Sequence, residues 1–141
     1  MKLTKYTDVM VGQSAETVHT VTEKDIEAFG SLTGDYNPLH FNEEWAKTTM
    51  FKGRIAHGML TASFIGNTVG MRLPGPGTII LGQTLSFKRP VRIGDTITAT
   101  AEVVKKEEKN QHITLKTVCT NQNDETVLEG EAIVTLLRTT D

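Results

Sequence analysis

From His57 to Met71 the chain carries no Asp, Glu, Lys or Arg, although Arg54 and Arg72 bracket the stretch. A helix at a protein surface shows a charged face, whereas a helix that is uncharged and apolar nearly all round is buried on most sides. At a rise of ~1.5 Å per residue this helix is about 22 Å long. The rest of the chain must therefore supply a wrapper for it. Gly66 and Gly70 weaken a helix by ~1 kcal/mol each relative to Ala, so they predict the close approach of a strand or a neighbouring helix. Met50, Met59 and Met71 read as flexible core filler around it.

The wrapper follows once Pro74-Gly75-Pro76-Gly77 has turned the chain. Ile79, Leu81, Leu85 and Phe87 alternate with Ile80, Gly82, Thr84 and Ser86, which predicts one strand. Ile97 to Val103, Ile113 to Lys116 and Leu128 to Leu136 show the same period of two, and an earlier strand is expected near Glu16–Val21. Gly94-Asp95, Lys105–Asn110 and Asn121–Asp124 are short polar connectors of the kind antiparallel hairpins need. The fold class is α+β: five or six antiparallel strands around one long buried helix. At 141 residues and 15.5 kDa, with no repeat and no long linker, residues 1–141 read as a single domain. One such sheet covers only part of an uncharged helix and leaves open edge strands, so a homodimer, or a dimer of dimers, is expected.

Charge and cysteine usage exclude several classes of function. A formal charge of −2, with both signs spread along the chain, gives no footprint for nucleic acid or an anionic membrane. Cys119 is the single cysteine, which removes any internal disulfide or thiolate metal cage, and His19 and His112 have no partner at metal-ligand spacing. No metal is expected. The start MKLTKYTD lacks the apolar core of a secretory signal, and no run approaches the ~18 apolar residues of a membrane span. A cytoplasmic location is expected.

Thr22 caps a helix in which Asp25 stands at the reciprocal position and Ile26, Phe29 and Leu32 recur at helical spacing, with Gly34 as its stop. Gly34 to His40 is then a shaped loop, because Pro38 lacks a backbone donor and pushes Asn37 into an extended conformation. A turn of helix follows at Asn42–Thr48, with Asn42 as cap and Trp45 packing inward. The loop aims a carboxylate, Asp35, and an imidazole, His40, at one point. Adding water across an activated double bond needs such a pair, one group to take a proton from water and one to deliver a proton to carbon. It also needs donors for the charge pushed onto a carbonyl oxygen, and the free amides opening the buried helix, in Gly53-Arg54-Ile55-Ala56-His57-Gly58, supply them. His57 reads as a cap or brace for that helix start.

Gly34-Asp35-Tyr36-Asn37-Pro38-Leu39-His40 followed by Gly53-Arg54-Ile55-Ala56-His57-Gly58-Met59-Leu60 resembles the signature of the MaoC-like, or hydratase 2, branch of the hot-dog fold superfamily. Phe87 to Asp95 is similar to the strand-and-turn segment of the same fold, so the resemblance runs from about Thr22 to Val134. It implies an (R)-specific enoyl-CoA hydratase acting on an acyl-CoA thioester with no cofactor. It further implies that Asp35 and His40 hold the attacking water, that Asn37 orders the loop, and that an amide around Gly53 to Gly58 polarises the thioester carbonyl. Substrate contacts are thus expected at Asn37, Gly53, His57, Gly58 and Ser63. Ser63 enters because the family often has a hydroxyl there, and it reads equally as a side chain bonding back to its own helix. Lys88, Arg89 and Arg92 are weak candidates for the phosphates of coenzyme A, since basic residues at strand ends are usually only solvated.

Three other functions share the expected fold: an acyl thioesterase, an acyl-carrier-protein dehydratase, and a non-catalytic acyl-CoA-binding module. A thioesterase directs water at the carbonyl carbon and does not call for the Asp35–His40 pair. A sensing module needs no acid–base pair and normally brings a DNA-binding appendage, for which this chain has neither length nor charge.

Overall fold

The computed structural model describes residues 1–139. After a 3₁₀ turn at Tyr6–Asp8 come β1 (Ser14–Thr20), α1 (Glu23–Thr33), α2 (Pro38–Phe41), α3 (Glu43–Ala46), α4 (Gly58–Met71), β2 (Thr78–Gln83), β3 (Ser86–Phe87), β4 (Thr96–Glu107), β5 (His112–Thr120) and β6 (Thr126–Leu136). The strands form one six-stranded antiparallel sheet in the order β1-β4-β5-β6-β2, with β3 also paired to β6. The uncharged helix is α4, and it packs on β4, β1 and β5.

Period-two patterning sets the core. Val103, Leu115 and Ala132 pair across three strands, as do Ala99, Cys119 and Leu128, and all six are buried. Each large side chain so buried contributes ~1.5–3 kcal/mol. Alanines at 99 and 101 keep the sheet surface low beneath α4. Thr68 then reaches it, bonding to the Ala99 carbonyl at 3.2 Å and to the Thr17 hydroxyl at 2.7 Å, which pins the helix to β4 and β1. Burial pushes the Cys119 thiol up to about 12, so it is an inert part of this core.

The start and stop of α1 follow the expected chemistry. Thr22 Oγ1 accepts from the Asp25 amide, Asp25 Oδ2 accepts from the Thr22 amide, and Gly34 ends the helix in the left-handed region at φ +82°. Elsewhere the structure departs from the sequence expectation. Pro38 to Phe41 is a helical turn, because a proline at the first helical position loses no bond and Asn37 caps the turn through Leu39 N–H at 3.1 Å. In α3, capped by Asn42, the residue that packs inward is Ala46, and Trp45 is exposed. Leu32, Met50, Met59 and Met71 are exposed as well, so the methionines are surface residues of the protomer and not core filler.

The strand expected from Ile79 to Phe87 breaks into β2 and β3. Thr84 N–H bonds to the Glu131 carbonyl while Thr84 Oγ1 accepts from Glu131 N–H, and the Thr84 carbonyl sits so close to Gly130 that a Cβ there would lie 1.9 Å from it. The Gly94-Asp95 turn is not a hairpin link, since β3 pairs with β6 and the β4 that follows the turn pairs with β1 and β5. The close approach expected at Gly66 and Gly70 is not found among the described residues, where a Cβ at either would meet nothing within 4 Å.

Candidate active site

Where α1 stops, the chain makes two local turns. Asp35 Oδ1 accepts from Asn37 N–H at 3.2 Å, and Asn37 in turn caps α2. These short bonds leave Asp35 exposed and swing His40 inward, where it is 8% exposed. Four bonds then join this loop to the segment that leads into α4. His40 Nδ1 donates to the Ile55 carbonyl at 2.8 Å, and Arg54 Nε donates to the His40 carbonyl at 2.7 Å. Ile55 N–H donates to the Leu39 carbonyl at 3.3 Å, and His57 Nε2 donates to the Asp35 carbonyl at 3.0 Å. The two sequence motifs are therefore one physical unit.

At its centre the His40 and His57 rings stack, with centroids 4.0 Å apart, and Phe29 and Phe41 pack on His57. One carboxylate oxygen of Asp35 and one ring nitrogen each of His40 and His57 lie within 4.8 Å of one another. Two imidazoles and a carboxylate at that spacing are also a set that could hold a metal ion. The set was not visible from the spacing around His19 and His112, because its members come from two other segments of the chain.

The bond to Ile55 fixes the His40 tautomer. Since a carbonyl only accepts, Nδ1 carries the proton and Nε2 presents a lone pair. Burial pushes the His40 imidazole below its ordinary value near 6.5, and the neighbouring His57 and Arg54 push the same way, against the pull of the Ile55 carbonyl and Asp35. His40 is thus neutral at neutral pH and suited to accept a proton.

The other expected residues are placed unequally. Gly58 opens α4, and its Cα faces the Phe87 ring, which a Cβ would meet at 2.8 Å. His57 stands at the cap position without a side-chain capping bond, so it braces the loop through Asp35 and does not cap the helix. The first amides of α4 are consequently open to a ligand oxygen. Gly53 stands outside the cluster, packed on the Glu43 carboxylate and Arg92. Ser63 is exposed and donates back to its own helix, to the Leu60 carbonyl at 2.6 Å. Sequence reasoning passed over Arg54 as a mere bracket of the apolar stretch. Its side chain is largely buried, ties His40 to Glu23, and receives Arg92 on its own carbonyl. Its place inside the Gly53 to Gly58 motif was the signal that the sequence offered.

A neutral buried imidazole and an exposed carboxylate converging near an uncapped buried helix, on a sheet of this topology, define an acid–base enzyme of the hot-dog fold. The model of the family described as MaoC like domain matches residues 8–125, and the chain belongs to that family. It is 50% identical over 129 residues to an (R)-specific enoyl-CoA hydratase of Rhodospirillum rubrum, covering 92% of this chain and 89% of that protein. It is 34% identical over 129 residues to a mitochondrial 3-hydroxyacyl-[acyl-carrier-protein] dehydratase of Arabidopsis thaliana, covering 89% of this chain and 76% of that one. Among solved structures it is similar to the unliganded R-hydratase PhaJ1 from Pseudomonas aeruginosa. There the TM-score is 0.89 at 42% identity, with 97% of this chain and 88% of the other covered.

Proposed function

We infer that this protein adds water reversibly to a trans-2-enoyl-CoA, giving the (3R)-hydroxyacyl-CoA. The observation that carries the reading is the convergence of the Asp35 carboxylate and the His40 ring within 4.8 Å, with His40 Nε2 left free by the Ile55 bond. His40 Nε2 takes a proton as the water oxygen bonds to the β-carbon, and the imidazolium returns that proton to the α-carbon. Asp35 orients the water and steadies the imidazolium. The open amides at Gly58 and Met59 receive the thioester oxygen as it gains charge. The (3R) outcome and the coenzyme A carrier rest on the likeness to the R-hydratases.

The working enzyme is a cytoplasmic homodimer of single-domain protomers. Ile79, Ile80 and Leu81 on the edge strand β2 are exposed, as are Met59, Ser63, Asn67 and Met71 along one uncharged face of α4. Apolar edges and faces of this kind call for a cover, and a second copy supplies the same two surfaces in complementary order. No helix among the described residues is long and apolar enough to cross a membrane.

The test is crotonyl-CoA, followed by loss of the conjugated absorbance, with free thiol measured in parallel and the product analysed for chirality. Hydration without thiol release and a (3R) product are expected. Thiol release without hydration would mean a thioesterase. Asp35→Asn and His40→Ala should each lower turnover by ~10²–10⁴-fold with unchanged circular dichroism. Near-wild-type turnover in either variant removes that residue from the chemistry.

A further inference from the structure

Thr61 lies one turn into α4, 2% exposed, and its Oγ1 has no hydrogen-bond partner among the described residues. The other two hydroxyls of the helix are satisfied. Ser63 donates to the Leu60 carbonyl, and Thr68 lies within bonding distance of the Phe64 and Ala99 carbonyls. A buried hydroxyl without a partner loses stability that an isosteric valine would recover. Thr61 also lines a cavity of about 240 Å³ between the start of α4 and the Phe87 to Val91 segment. Its walls are otherwise mostly apolar, among them Ile55, Phe87, Val91 and Leu128, with Lys88 and Arg89 contributing charge. Ile55 and Gly58 belong both to this cavity and to the reacting centre, since Ile55 holds His40 and Gly58 opens the helix.

We propose that Thr61 is a substrate-binding residue whose hydroxyl donates to a carbonyl oxygen of the thioester-linked chain lying in this cavity. The proposal rests on the reading of the site as an acyl-CoA hydratase and adds the polar contact that holds the chain beside it. Two carbonyls of such a chain offer this acceptor, the thioester itself and the nearest amide of the pantetheine arm. They differ kinetically. Charge develops on the thioester oxygen during reaction, so loss of its donor lowers kcat, whereas loss of a contact to the amide weakens ground and transition states alike and raises KM.

The experiment compares wild type, Thr61→Val and Thr61→Ser in thermal unfolding, in crotonyl-CoA kinetics, and in calorimetric binding of butyryl-CoA, a saturated thioester that cannot be hydrated. Thr61→Val should unfold at or above the wild-type temperature while binding butyryl-CoA about 3–10-fold more weakly, and Thr61→Ser should restore the affinity. A rise in KM alone assigns the contact to the pantetheine amide, and a fall in kcat assigns it to the thioester oxygen. Equal affinity in wild type and Thr61→Val overturns the proposal, as does a lowered unfolding temperature for Thr61→Val, which would make the hydroxyl structural. Wild type that fails to bind butyryl-CoA overturns it as well. Thr61-dependent binding of butyryl-CoA by a protein that does not hydrate crotonyl-CoA would sink the hydratase reading and leave this contact standing.

Discussion

The bond from His40 Nδ1 to the Ile55 carbonyl decides which ring nitrogen is left with a lone pair, and the burial around it lowers the pH at which that nitrogen takes a proton. Because the folded imidazole titrates below its ordinary value near 6.5, the neutral base persists into mildly acidic solution. The acid limb of kcat/KM for crotonyl-CoA should therefore fall below pH 6.5, and His40→Ala should abolish that limb along with the rate. The same shift has a sign for stability. Between the folded value and 6.5 the unfolded chain binds more protons at this site, so its contribution is complete above 6.5 and is lost as pH falls through the folded value. An acid limb above pH 6.5 would contradict the buried, neutral His40. Asp35 and His40 were legible in the sequence because a glycine stop, an Asx turn and a proline aim them within one short segment. Thr61 was not, since having no partner is a property of the folded neighbourhood and leaves no trace in the order of residues.

At the scale of elements, what sequence displayed was whatever local chemistry decides. The reciprocal Thr22–Asp25 cap, the Gly34 stop and the alternation of β4, β5 and β6 are all written in neighbouring residues. The division of the expected Ile79 to Phe87 strand was hidden, because it depends on Thr84 meeting Gly130 across the sheet. Trp45 was misplaced for the same kind of reason: Ala46, not the larger neighbour, faces the space that is filled. Gly130→Ala tests the first point. The new methyl would press on a backbone carbonyl that cannot rotate away, and overpacking of this kind costs about 1–3 kcal/mol. A fall of about 5–10 °C in the unfolding midpoint is expected. Gly82→Ala, where a Cβ meets nothing within 4 Å, should leave the midpoint nearly unchanged. Equal midpoints for the two variants would show that the contact does not set the break.

At the scale of the whole molecule, the helix that demanded a wrapper is wrapped on one side only by its own sheet. Gly66 offers a clean probe of the other side. Among the described residues a Cβ at Gly66 would meet nothing within 4 Å, so Gly66→Leu starts into open space and improves helix propensity by somewhat under 1 kcal/mol. If a second copy covers this face, the same leucine should convert the dimer to monomer in sedimentation at assay concentration. An undisturbed, fully active dimer would exclude this face of α4 from the interface. The sequence displayed the need for a cover through its missing charges, yet the open face itself became visible only when Met59, Ser63, Asn67 and Met71 fell on one side. The four bonds that lock the two motifs carry a consequence for divergence. Every acceptor among them is a main-chain carbonyl, of Leu39, His40, Ile55 or Asp35, and none depends on the side chains at 39 and 55. Lineages descending from such a sequence are free to exchange those two side chains and reshape the pocket. They are also free to lengthen the chain near the exposed Met50, but not to insert or delete a single residue inside either motif.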